Sequence, residues 1–161
     1  MFNSVVNAGK ARVYGIEFEG TARLTSNDQI DGYLSYLNTR FLSYLSGTTN
    51  YTGNELAKSP SFAFTIGYQH VFDLHEAGKL TARGEFHHEG DQYLSPSNDA
   101  TSFQPAYRES NAFLRYDAAN GGWYVNAYIR NIENRVHLTH VATGAYIAAP
   151  RTYGIAAGVR F

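Results

Sequence analysis

Hydrophobic and polar residues alternate one for one along most of this chain, in seven runs separated by polar, glycine-containing breaks. Alternation with period two predicts strands that carry one apolar and one polar face. In the first run Ile16, Phe18, Gly20, Ala22 and Leu24 fall on one side, with Glu17, Glu19, Thr21 and Arg23 on the other. The second, at 30–41, puts Leu34 and Tyr36 on the apolar side, although a slip of one residue inverts that assignment. Phe62, Phe64, Ile66 and Tyr68 oppose Ala63, Thr65, Gly67 and Gln69 in the third run. In the fourth, Leu80, Ala82, Gly84 and Phe86 oppose Thr81, Arg83, Glu85 and His87. The fifth sets Ala112, Leu114 and Tyr116 against Asn111, Phe113 and Arg115, and the sixth sets Trp123, Val125, Ala127 and Ile129 against Tyr124, Asn126, Tyr128 and Arg130. The last sets Tyr153, Ile155, Ala157, Val159 and Phe161 against Gly154, Ala156, Gly158 and Arg160.

Each run covers roughly 10 to 12 residues, where a tilted membrane strand needs roughly 9 to 11 and a globular strand averages nearer 5 or 6. The links alternate in length. Short ones at 26–28, 73–78 and 118–122 are rich in turn formers, whereas those at 42–60, 90–106 and 133–150 are several times longer. In an up-and-down meander this puts every short turn at one end and every long loop at the other, the asymmetry of barrels in the bacterial outer membrane, whose short turns are periplasmic. Aromatic placement agrees: Tyr68, Phe72, Tyr116, Trp123 and Phe161 sit near the periplasmic ends and Tyr36, Phe62 and Phe86 toward the other, as two interfacial girdles require. The expected fold is therefore all-β, an antiparallel up-and-down transmembrane barrel portion of about seven strands. Seven strands with two open edges cannot sit in hydrocarbon unaided, so the chain reads as part of a larger barrel. Residues 1–8 are a poor eighth strand because of Asn3, Asn7 and the following Gly9.

Composition supports the β class: aromatics make up 15% of the 161 residues, with 13 Tyr and 10 Phe, and Pro is scarce at 4. No stretch is long and apolar enough for a membrane-spanning helix, and the mean hydropathy of −0.36 is what strands apolar on one side only produce. The start, with no basic segment followed by an apolar run, is no secretory signal, so an exported protein would have more chain ahead of Met1. A net charge of −1, with no cluster of cations interleaved with aromatics, argues against nucleic acid as a partner. The absence of Cys excludes disulfides, thiolate metal sites and cysteine nucleophiles.

On the polar side, facing the barrel lumen, stand Glu17, Glu19, Arg23, Gln69, Arg83, Glu85, Arg115, Asn126, Arg130 and Arg160. They form either part of a polar substrate path or a network of paired charges that satisfies the interior wall, and the network is the stronger expectation because dry charges must be paired or hydrated. In the external loops Tyr51, Tyr93, Phe103, Tyr107 and Tyr146 are candidate ligand contacts, or aromatics that pack the loops together. His87 and His88 point to opposite faces, His137 and His140 have a spacing that fixes no metal geometry, and His70 and His75 flank a short turn, so no metal site is expected. No nucleophile elbow, zinc-helix motif, phosphate loop or dinucleotide fingerprint occurs, so neither an enzyme nor a cofactor is expected. Two alternatives stand beside the membrane reading. One is a soluble, lipocalin-like ligand-binding barrel with its apolar side inward. The other is a small outer-membrane barrel enzyme built from residues such as Ser35, Ser61, Ser110 and His88.

Several stretches resemble one family. Asn7, Gly9, Ala11, Gly15, Glu17 and Glu19 form an N-x-G-x-A-x-x-x-G-x-E-x-E pattern similar to a barrel strand of the TonB-dependent outer-membrane receptors. Residues 53–60 running into Phe62 to Tyr68 resemble a loop-to-strand passage of those receptors, 123–135 their penultimate strand, and 150–161 their closing strand. Ile132 and Glu133 stand where the family usually has Leu and Phe, and Gly154 and Ala156 depart from its closing-strand pattern. The resemblance implies that 1–161 is the C-terminal segment of a barrel of about 22 strands, with the plug domain outside this chain. It implies uptake of scarce solutes such as iron–siderophore complexes, cobalamin or glycans. The implied partners are the solute, outer-membrane lipid, TonB through the N-terminal part, and the barrel-assembly machinery, which would read Tyr153, Ile155, Ala157, Val159 and Phe161.

Overall fold

The computed structural model describes residues 9–141 and 144–160. Seven strands form one antiparallel sheet in chain order: β1 (Lys10–Arg23), β2 (Asp28–Ser43), β3 (Phe62–Asp73), β4 (Lys79–Glu89), β5 (Tyr107–Asp117), β6 (Trp123–Arg130) and β7 (Thr152–Val159). Each pairs only with its sequence neighbours, an up-and-down meander whose edges, β1 and β7, do not meet among the described residues. Residues 1–8, weighed as an eighth strand, and Phe161 lie outside the described residues.

The strands vary more in length than the alternation suggests. β1 and β2 run to 14 and 16 residues, β6 and β7 to only 8. The outer half of β2 is extended by its own loop, which folds back so that Asn54 O accepts from Phe41 N at 2.8 Å and Ser61 O from Leu37 N at 3.0 Å. Backbone groups that would otherwise end the ladder are satisfied there, and pairing with β1 continues.

Every short link is closed by its own polar residues. In the first, Thr25 Oγ1 accepts from Asn27 N and Asp28 N at 3.1 and 3.0 Å. In the second, Asp73 Oδ1 accepts from His75 N at 2.9 Å and opens a single 3-10 turn, His75–Ala77. Gly78 ends it at φ 110, where a Cβ would lie 2.2 Å from Asp117 O, so only glycine fits. The long links carry two-stranded ribbons, Leu45–Ser46 with Thr49–Asn50, Gln92–Tyr93 with Phe103–Gln104, and Leu138–Val141 with Ala145–Ile147.

Register joins the apolar positions of all seven strands into one face. Phe18 pairs with Leu34, Leu34 with Phe64, Ile66 with Phe86, Ala82 with Leu114, Leu114 with Ala127, and Ala127 with Ile155. Leu34 and Tyr36 therefore share the face of Phe18 and Ile16, which settles the assignment a one-residue slip would have inverted. This face is bare: Ile16 is 69%, Phe18 67% and Ile155 79% exposed, and among the described residues the buried apolar ones are only Phe41, Ala63 and Leu94. A large apolar side chain left wholly in water forgoes about 1.5–3 kcal/mol, so Ile16, Phe18, Leu34, Ile66, Phe72, Leu114, Ile155 and Val159, at 39–79% exposed, together forgo an amount comparable with the roughly 5–15 kcal/mol that holds a domain folded. The face has to be covered by an apolar medium, and a lipocalin-like barrel with these residues inside is excluded.

Candidate functional site

The opposite face is polar, and all ten residues expected on it stand there. Glu17, Glu19 and Arg23 of β1 sit opposite Ser35, Tyr33 and Gln29. Gln69 pairs with Arg83, Glu85 with Asn111, and Arg115 with Asn126. Arg130 lies opposite Thr152, and Arg160 reaches the same face through Asp117.

Two ionic clusters organise this face. Arg83 donates Nη1 to Asp31 Oδ1 at 2.6 Å, Nη2 to Asp31 Oδ2 at 2.8 Å, and Nε to Glu85 Oε1 at 2.9 Å. The Asp31 fork reaches from β4 to β2, over the intervening β3. It passes above Gly67, where a Cβ would come 2.4 Å from Arg83 Nη2 and 2.8 Å from Asp31 Oδ2. In the second cluster Arg115 grips Asp117 through Nε and Nη2, both at 2.6 Å, and donates Nη1 to Asn126 Oδ1 at 3.1 Å. Arg160 joins at 3.6 Å, and the Arg115 and Arg160 guanidinium groups lie 4.3 and 5.4 Å from the Tyr124 ring centre. Arg130 lies over Tyr128 and Phe113 at 5.1 and 5.9 Å. Tyr33 donates to Glu17 Oε1 at 3.2 Å.

Toward the loop end a hollow of about 310 Å³ opens among Lys58, Glu89, Gln92, Tyr107, His137 and Thr139. Tyr107 does not lie in the loop where it was expected; it is the first residue of β5, directly across from Glu89. Its ring stacks on His137 with centres 3.9 Å apart and planes 13° apart. Glu89 also accepts from His87 and Gln92. His137 is 8% exposed, burial holds its imidazole below the usual range, and among the described residues its Nδ1 has no hydrogen-bond partner.

The other loop aromatics pack with neighbours. Tyr51 meets Tyr44 at 5.2 Å, Tyr93 meets Phe103 at 5.4 Å, and Tyr146 meets His140 at 5.7 Å. The loops also brace each other, since Asn54 donates to Pro96 O and Ser97 O at 2.8 and 3.1 Å, and Leu138 N to Gln104 Oε1 at 2.6 Å. Glu133 of the third loop is held below the usual carboxylate range by the hydroxyl and N–H of Ser110, at 2.6 and 2.8 Å. On β7, Tyr153, Ile155, Ala157 and Val159 share the apolar face, and Phe161 lies outside the described residues.

Sequence reasoning missed Asp31, Asp117 and Glu89, and weighed His137 only as a metal ligand. Asp31 was hidden by the uncertain face of β2, and Asp117 by its place beside a turn. The Glu89–Tyr107 pair could have been found by counting back along the fourth and fifth runs from their short link. His137 carried no such signal, because a long loop brings it in.

Comparison with known proteins places this geometry. The family described as "TonB dependent receptor-like, beta-barrel" matches residues 2–132. The ferric yersiniabactin uptake receptor of Yersinia pestis superposes with a TM-score of 0.82 at 23% identity, over 96% of this chain and 24% of its own length. The ferric preacinetobactin receptor of Acinetobacter baumannii gives 0.77 at 21%, over 91% and 22%. The ferripyoverdine receptor of Pseudomonas aeruginosa gives 0.69 at 17%, over 91% and 19%. The chain thus spans a quarter or less of each of these proteins, with which it shares the fold.

Proposed function

The chain belongs to the TonB-dependent receptor family as part of its outer-membrane β-barrel, and from that premise we propose that it supplies seven adjacent staves, the C-terminal portion, of a receptor that imports an iron chelate. A receptor barrel in the bacterial outer membrane is not an enzyme, and the small outer-membrane enzyme is set aside. The observation that carries the proposal is the division of the sheet into an apolar outer face and a polar inner face, with all three long loops gathered at one end. On this reading the ionic clusters line the lumen, and the loops at 42–60, 90–106 and 133–150 form part of the vestibule. The hollow at Glu89, Tyr107 and His137 opens into that vestibule. The plug and the TonB-contacting segment belong to the receptor's N-terminal part, and β7 presents its outward residues to the barrel-assembly machinery. Iron chelates are favoured over cobalamin and glycans because the solved relatives named above are receptors for ferric chelates.

Disrupting the receptor gene should abolish growth on one ferric chelate under iron limitation, while growth on ferric salts in excess is unchanged. Restoration of growth by cobalamin or a glycan instead would reassign the solute. In the purified full-length receptor, exchange of the loop at 90–106 for a short turn should weaken chelate binding by at least about tenfold, or about 1.4 kcal/mol, with folding intact. Unchanged affinity would remove that loop from the binding surface.

A further inference from the structure

On the outward face two cations stand directly opposite each other: Arg12 of β1 and Arg40 of β2 are register partners. Lys10 lies two residues before Arg12 on the same strand, where the pairing with β2 shifts register. All three are exposed. Among the described residues none of them has a carboxylate partner, whereas Arg83, Arg115 and Arg160 on the polar face are all paired. Like charges directly opposite on a sheet repel, so this arrangement is favourable only with an anion between them.

Their height identifies the anion. From Leu24, just past the periplasmic end of β1, to Tyr14 the chain advances about 33 Å, or about 25 Å along the barrel axis at the usual tilt, which is the height of the apolar band. Tyr14 and Tyr36 therefore stand in the outer aromatic girdle. Arg12 is one outward position above Tyr14 and lies over its ring at 5.3 Å, and Arg40 is two outward positions above Tyr36. The cations are thus at the level of the lipid headgroups. Below them on the same strands the outward face carries a hollow of about 610 Å³, walled by Phe18, Ile30, Leu34, Phe62 and Ile66. Gly20 and Gly32, which are register partners, form its floor. A guanidinium pair matches a phosphate, and an apolar hollow beneath it matches an acyl chain.

We propose that Arg12, Arg40 and Lys10 hold the phosphate of an outer-leaflet lipid whose acyl chain runs down into the hollow over Gly20 and Gly32. This rests on the outer-membrane reading above. The test is native mass spectrometry of the detergent-folded full-length receptor with added lipid A, with phosphatidylcholine and inorganic phosphate as separate arms. Wild type should retain lipid A and exclude phosphatidylcholine. Arg12→Gln with Arg40→Gln should retain it about 25-fold less well, about fivefold for each charge removed, and the Lys replacements should recover most of the loss. Gly32→Leu, which leaves the cations in place, should also reduce retention by filling the hollow. Equal retention by wild type and the Gln variant, or binding of inorganic phosphate in place of lipid, would overturn the site. Insertion into phosphatidylcholine vesicles separates the two readings: a receptor that fails to insert overturns the barrel assignment, whereas equal insertion without a difference in lipid A retention overturns only the lipid site.

Discussion

Gly67 shows how a missing atom can organise a wall of charge. Without a side chain there, Arg83 reaches Asp31 across a whole strand with both ends of its fork engaged. Both partners are part-buried, so the bond is worth more than an exposed ion pair. Gly67→Ala should cost about 1.5–3 kcal/mol, read as urea unfolding of the receptor refolded in vesicles. Asp31→Asn should cost a similar amount, and the double variant little more than either alone, since both remove the same contact. Full additivity would show that Gly67 does not serve this pair. At the loop end, Asp99 accepts from Ser97 and Thr101 hydroxyls at 2.6 and 2.7 Å and from Ser102 N at 2.9 Å. These donors favour the ionised form and bring the carboxyl down from 3.8 to about 2. A depressed folded value contributes stability in full above 3.8, and that contribution is lost as pH falls toward 2. Hydrogen-exchange protection in the loop at 90–106, taken relative to the unstructured rate at each pH, should therefore fall over that window and not between pH 7 and 5. Loss of protection at the higher pH would point to another group.

Among the elements, β6 and β7 are the shortest of the seven, yet they carry the aromatic wall of the polar face. Tyr128 pairs with Gly154 and Tyr124 with Gly158, and each ring lies over the bare backbone of its glycine. A Cβ would come 2.8 Å from the Tyr128 ring at Gly154 and 2.5 Å from the Tyr124 ring at Gly158. Covering a strand glycine with a cross-strand aromatic restores packing that glycine lacks. This explains the departure of Gly154 from the expected closing-strand pattern: the position serves its neighbour's ring. Gly158→Val should displace Tyr124 from between Arg115 and Arg160 and destabilise the barrel by about 1–3 kcal/mol, measured by urea unfolding with tyrosine fluorescence. Tyr124→Ala in the same background should remove most of the added penalty, and a loss that persists would place the strain elsewhere. The alternation made these strands legible, but the pairing of particular rings with particular glycines follows from register, which depends on both partners.

For the whole molecule the governing fact is that one face must meet hydrocarbon and the other water. Ile66 lies in the middle of the outward face, 44% exposed, and Thr21 lies on the inward face opposite Asp31. Ile66→Arg should destabilise the receptor in bilayers by about 2–4 kcal/mol, whereas Thr21→Arg, which meets water and a carboxylate, should stay within about 1 kcal/mol. Equal costs measured in phosphatidylcholine vesicles would contradict the two-faced arrangement. The open edges of β1 and β7 lead to the same requirement. Among the described residues their outer backbone groups have no strand partner, and such groups cannot remain bare in hydrocarbon, so further strands must close the barrel.

The chain alone determined which side of six of the seven strands is apolar, and only β2 needed its register partners to decide. The side-chain period of a strand is two, and a single slip would carry every apolar residue to the wrong side. It also determined where the turns fall, since Thr25, Asp73 and Asn120 act through bonds to their immediate neighbours. Only the tertiary structure decided which charges meet, because Asp31 and Arg83 are 52 residues apart. It likewise decided that His137 stacks on Tyr107 and that Arg12 opposes Arg40. Those contacts depend on register across strands and on the path of long loops, neither of which is written in the local alternation.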